Sequence, residues 1–296
     1  MTLRRGRGMR WLALALLIVT GLGHATPSVV DDDGVTVSLP SAARRIVSLA
    51  PHATELLFAA GAGDLVVGVS SGSDFPEQAQ RIASIGGSAQ VDLERIVSLR
   101  PDLVVAWKSG NPARQIARLR ALGIAVFESE PRSFDGIATT IERLATLAGT
   151  TAHGQQSAQT FRQQHLQLQH RYAGRAPVMV FYQIWAQPLM TLNATHLVSQ
   201  ALTLCGAQNA FGSLPQLAPT IGTEAVVSAN PEAIFISDQP AQAMAKWRRF
   251  PRMTAVERSN LFVVNGTLLN RAGPRMLDGV GQLCEQVEQV RLRRPH

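Results

Sequence analysis

The sequence predicts an α/β protein built as two lobes joined by a single long helix. Three observations carry that prediction. Short apolar strands alternate with amphipathic helices from Arg45 to Glu128, the same alternation restarts after Pro177, and Gly154 to Tyr172 between them contains neither proline nor a strand-like run. With 296 residues the chain can give each lobe its own core. A hydrophobic content of 46% against 17% charged residues excludes a disordered chain.

In chain order, Arg4, Arg5, Arg7 and Arg10 precede an apolar run from Trp11 to Gly23 that ends in Gly23-His24-Ala25. A positive end, a short apolar run and small residues before the break read as a signal peptide over residues 1–25, cleaved after Ala25. An uncleaved membrane anchor is the competing reading, although nothing after Gly23 lengthens the run. No cysteine lies near that site to accept a lipid. Cleavage removes four arginines and no acid, lowering the formal charge from +7 to about +3. No basic stripe with interleaved aromatics remains, so no nucleic-acid partner is expected.

The first lobe is assigned to residues 45–150. Ile46–Leu49 reads as a strand, Pro51 as a turn, Thr54–Ala60 as a helix ended by Gly61, and Leu65–Val69 as the next strand. Leu93–Leu99 is helical in pattern, Pro101 breaks it, and Leu103–Ala106 is a strand of the buried type. A helix from Ala113 to Leu122, stopped by Gly123, and a strand at Ala125–Phe127 close the series. Residues 151–174 form the inter-lobe helix, with Ala158, Phe161, Leu168 and Tyr172 at helical spacing. The second lobe spans residues 175–292, with strands at Val178–Tyr182, Ala233–Ile236 and Leu261–Val264.

An ungapped internal echo relates the lobes: Leu93 to Val104 resembles Thr223 to Ile234. In both, a helix with Glu in its first turn ends before proline and an acidic residue and feeds an apolar strand. Glu94 and Glu224 thus occupy matching places, as would suit a twofold-symmetric partner with one basic pocket for each lobe. A recurrent helix-to-strand connection explains the echo equally well.

Cys205 and Cys284 are the two cysteines, and each ends an apolar helical pattern. An oxidising compartment would let them pair; two buried free thiols fit the pattern too. Catalytic signatures are missing: the sequence has no GxSxG, GxxxxGK[ST] or HExxH. Solvated positions on the long helix account for His153, His165 and His170, so no metal site is expected. Trp107 and Trp185 stand just beyond apolar strands in opposite lobes, where α/β sheets bind ligands, and each offers a flat apolar face. Arg271 follows the last strand and could donate to amides or an acid.

Taken together, Arg45-Ile46-Val47-Ser48-Leu49-Ala50-Pro51, Gly68-Val69-Ser70-Ser71, Leu93 to Val104, Trp107 to Asn111, Leu204-Cys205-Gly206, Arg271-Ala272-Gly273-Pro274-Arg275 and Leu283-Cys284 resemble the periplasmic cobalamin-binding proteins of ABC importers. The resemblance implies two Rossmann-like lobes on a rigid helix, a Cys205–Cys284 bridge, a periplasmic location and a transported corrinoid with no resident cofactor. It implies that Trp107, Trp185 and Arg271 match or lie next to positions that contact the corrinoid, and that Glu94 and Glu224 dock a monomeric carrier onto the permease dimer of the importer. Several positions that are aromatic in the best-known member are here Gly72, Ser88, Ala218 and Leu268. Gly72 and Ser88 would then line a roomier pocket. A haem or ferric siderophore carrier, with His52 or Tyr182 near the iron, is the alternative of the same class. A periplasmic enzyme acting on a cofactor-like molecule is the alternative of another.

Overall fold

The computed structural model describes residues 26–295, so the predicted signal peptide, residues 1–25, lies outside the described residues. Each lobe is organised on a four-stranded parallel sheet. The first runs Val66–Val69, Ile46–Ser48, Leu103–Trp107, Ala125–Ser129; the second runs Ala207–Asn209, Val178–Gln183, Ala233–Ile236, Leu261–Val263. Both follow the same order, with the second strand outside the first and the third and fourth on its other side. Every strand predicted from the sequence is present. Ala207–Asn209 was not predicted: an edge strand of three residues, two of them polar, carries no apolar run to reveal it.

The internal echo has a structural basis. Helices Leu93–Ser98 and Thr223–Ala229 lead into the third strand of each sheet. The turn between is made by Arg100 and Asn230, both left-handed, with φ of 46° and 43°, before Pro101 and Pro231. The acid that follows ties this turn to the start of the first strand. Asp102 Oδ2 accepts from the N–H groups of Arg44 and Arg45 at 2.7 and 2.9 Å, and Glu232 Oε1 accepts from Met179 N–H at 3.1 Å. Proline and the acid are therefore repeated for folding, whereas Glu94 and Glu224 are both exposed.

The inter-lobe helix runs from Thr151 to Tyr172, 22 residues, or about 33 Å at 1.5 Å per residue. It packs on a helix the sequence reading leaves unassigned, Phe134–Ala148, which is capped by the Ser133 side chain and ended by Gly149 at φ 74°. At Gly154 the two helices approach closely, since a Cβ there would come within 2.2 Å of Ala145 Cβ. Arg162 clamps the pair by ion pairs of 2.6 Å to both Asp135 and Glu142. His165 differs from its predicted role as a solvated residue: it is half-buried and stacks on Phe134 at 4.5 Å, while His153 and His170 are exposed. Gly154→Ala is accordingly expected to cost about 1–3 kcal/mol by overpacking, read as a lower midpoint in urea; an unchanged midpoint would show that the helices can part without penalty.

One hydrophobic cluster passes from Val37 through Ala158, Phe161 and Tyr172 to Val290, so the lobes share a core through the helix. Smaller clusters around Ile96 and Trp247 fill the other face of each sheet. In the second lobe Cys205 and Cys284 form a disulfide between two helix regions, with Cα atoms 4.8 Å apart and a sequence separation of 79. Closing a loop of that length contributes about 2–4 kcal/mol.

Candidate ligand-binding cleft

A cavity of about 1100 Å³ lies between the lobes. It exceeds the roughly 300–1,000 Å³ usual for sites that hold drug-sized molecules. From the first lobe its wall takes Pro51 and His52 after the first strand, Trp107 to Ser109 at the end of the third, and Glu130 to Arg132 after the fourth. The second lobe adds Asn193, Thr195 to Leu197, Gln200, Leu217 and Leu269 to Ala272. The first-lobe residues sit at the carboxyl ends of parallel strands, where the order reverses and loops diverge to leave a crevice.

Trp107 is the one large aromatic ring on this wall, and three neighbours fix it. His52 meets it edge-on, with centroids 5.6 Å apart and planes at 79°. Gly110 lies flat against the indole, for a Cβ there would fall 1.9 Å from Cε3. The third is Asn111, buried, whose Oδ1 accepts from Trp107 N–H at 2.6 Å while its Nδ2 donates to the carbonyls of Leu49 and Ser88 at 3.2 and 2.7 Å. One amide thus joins three cleft loops. Sequence reading assigned Asn111 no role; its position between Gly110 and Pro112 marks a turn but does not reveal that the side chain points inward.

Arg271 also lines the cavity, and it belongs to an ion cluster that spans the lobes. Glu55, whose side chain is only 2% exposed, receives Arg275 in a two-pronged contact of 2.9 and 2.6 Å and Arg271 at 3.2 Å. Arg271 further pairs with Asp74 at 2.5 Å and donates to the Gly72 carbonyl at 3.3 Å. The hydrogen bond from Arg271 holds the Asp74 carboxyl below its ordinary range. Arg275 lies over the Phe75 ring at 3.9 Å.

Of the residues singled out in the sequence, Trp107, Ser88 and Arg271 line the same cavity. Gly72 is beside it, joined to Arg271 through its carbonyl rather than through open space. Trp185 is not among the lining residues: it lies two residues past its strand, 49% exposed, with Nε1 donating to Gln187 O. Leu217 and Leu269 line the cavity where the sequence reading had pointed to their neighbours Ala218 and Leu268. Glu94 and Glu224 each hold the second position of an exposed helix, away from the cleft.

A periplasmic binding protein family model matches residues 46–266, which takes in both sheets and every cleft-lining residue before Leu269. The chain belongs to this family. It is therefore a solute carrier of the periplasm and not an enzyme. The vitamin B12-binding protein of Vibrio cholerae is 38% identical over 274 residues, covering 92% of this chain and 96% of that protein. That of Yersinia pestis is 36% identical, covering 86% and 90%. Among solved structures, the periplasmic vitamin B12 binding protein of Vibrio cholerae superposes with a TM-score of 0.79 at 37% identity, covering 84% and 98%. A periplasmic haem-binding protein solved with two haems reaches 0.75 at 22% identity, a likeness of fold alone.

Of the two residues considered for iron in this periplasmic binding protein, Tyr182 is committed to a hydrogen bond and His52 is enclosed. Tyr182 is buried with its hydroxyl donating to Asn270 Oδ1 at 2.9 Å, and burial raises its pKa above the ordinary value. His52 Nε2 is enclosed by protein and meets no hydrogen-bond partner. Burial, with Arg271 adding to it, pushes His52 from its ordinary 6.5 down to about 4. The folded chain therefore refuses a proton that the unfolded chain takes up. Stability present above pH 6.5 is lost as pH falls toward 4, at up to about 1.4 kcal/mol per pH unit. Replacing His52 by Gln should flatten the decline of Tm across that window, and an unaltered decline would assign it to other groups.

Proposed function

We propose that this protein captures a corrinoid of the cobalamin type in the periplasm and delivers it to an inner-membrane ABC importer. The observation that carries this reading is the likeness to vitamin B12-binding proteins over 92% of the chain, which includes every segment that walls the cleft. A cavity of 1100 Å³ with one indole face, apolar side chains and scattered amides and hydroxyls suits a large ring whose rim carries amides. Trp107, Ser88 and Arg271 contact the ligand directly, and Gly72 acts through the placement of Arg271. Trp185 serves the mouth of the cleft. The carrier works as a monomer of two lobes, residues 45–150 and 175–292, on the helix 151–174, after cleavage near Ala25. No bond is made or broken.

Delivery assigns Glu94 and Glu224 to the two halves of a permease dimer, each exposed carboxylate entering a basic pocket. Replacing both by Lys should leave the Kd for cyanocobalamin unchanged and abolish cyanocobalamin uptake in cells that depend on this carrier. Uptake at the unsubstituted rate would refute the docking role.

A further inference from the structure

The charged groups of the cleft do not cancel evenly. Lys108 is held by Asp33 at 2.6 Å, and Arg271 by Asp74 and Glu55. Glu130 enters no ion pair among the described residues, and its Oε2 accepts from the Ser109 N–H at 2.9 Å. Arg132 lines the same cavity and is exposed, yet it enters none of the ion pairs among the described residues, and its guanidinium donates to no protein acceptor there. Its backbone, by contrast, is pinned. Glu130 N–H donates to Asp32 Oδ2 at 2.6 Å, Pro131 fixes the next torsion, and the Arg132 carbonyl accepts from Gln200 Nε2 of the opposite lobe at 2.9 Å. Ser133 then caps the following helix. The result is a positioned cation with a free fork of donors, facing a cavity whose other cations are neutralised.

An unpaired guanidinium in a ligand cleft calls for an anion, and its planar fork matches the oxygens of a phosphate best. A corrinoid of the cobalamin type carries neutral amides around its ring and a single phosphodiester in its nucleotide loop. We infer that Arg132 binds that phosphodiester, so that the protein selects corrinoids bearing a complete nucleotide loop over those lacking it. This rests on the corrinoid reading above. The contact spans the seam between lobes, because the segment that presents Arg132 is fastened to Gln200.

The test compares cyanocobalamin with dicyanocobinamide, which keeps the ring and lacks the phosphodiester, on the chain from Thr26 onward. The unsubstituted protein should prefer cyanocobalamin. Arg132→Gln should weaken cyanocobalamin by about ten- to a hundredfold, the range of a charge-assisted hydrogen bond, and leave dicyanocobinamide within about twofold. Arg132→Lys should recover part of the loss, since it keeps the charge without the fork. Raising the salt concentration should erode the preference in the unsubstituted protein and not in Arg132→Gln. Equal weakening of both ligands, or of neither, overturns the assignment of Arg132, as does an unsubstituted protein that binds both equally well. The corrinoid reading survives those results. If neither ligand binds, the corrinoid reading itself falls and the inference with it. Arg132 is exposed, so an unchanged Tm in the variants should show that the fold is intact.

Discussion

Trp107→Ala is expected to weaken cyanocobalamin binding by about a hundredfold, the largest loss from any single cleft substitution, because truncating a central, well-packed Trp typically costs 2 kcal/mol or more. Its indole is the one large apolar plane on the cavity wall, and it is packed against His52 and Gly110, with the Trp107 backbone held by Asn111, before any ligand arrives. Binding therefore pays little to order it. Trp185→Ala provides the contrast, since that ring is half exposed and outside the cavity; its loss should cost less than about tenfold. Calorimetric titration of both variants decides the point. Comparable losses would mean that the two tryptophans share the ligand equally.

Glu55→Gln is expected to produce the largest loss of stability, about 3–5 kcal/mol, read as a Tm lower by on the order of 10 °C. The carboxylate is enclosed and is the common partner of Arg271 and Arg275, so a neutral amide leaves two guanidinium groups of the second lobe side by side at the lobe junction without their shared counter-charge. Asp74 can keep Arg271, but among the described residues Arg275 has no other carboxylate within ion-pair distance. The same substitution should loosen the junction and raise the Kd, since Arg271 serves both the cluster and the cavity. A Tm within a degree or two of the unsubstituted protein would show that the cluster contributes little net stability, as desolvation can cancel a buried ion pair.

The comparison of sequence with structure divides along physical lines. Apart from the edge strand Ala207–Asn209, the strands of both sheets and the bridging helix are legible because their apolar residues recur at fixed period and because Pro101, Gly61 and Gly123 mark their ends. Asn111, Glu55 and Arg275 are not. Each is a polar residue whose importance comes from partners far away in the chain: Asn111 joins loops 23 and 62 residues distant, and Glu55 meets arginines more than 200 residues later. No local pattern encodes such contacts. The helix Phe134–Ala148 is amphipathic and capped by Ser133, and both signals are present in the sequence. Trp185 shows the converse limit, for position after an apolar strand places a residue at the cleft end of a sheet without fixing which way its ring turns.

Isothermal titration of the chain from Thr26 with cyanocobalamin, and in parallel with hemin, tests the central claim most directly. The account predicts one-to-one binding of cyanocobalamin and no saturable binding of hemin at the same concentrations, because His52 Nε2 is enclosed and the Tyr182 hydroxyl is committed to Asn270. Saturable binding of hemin with no heat from cyanocobalamin would contradict it.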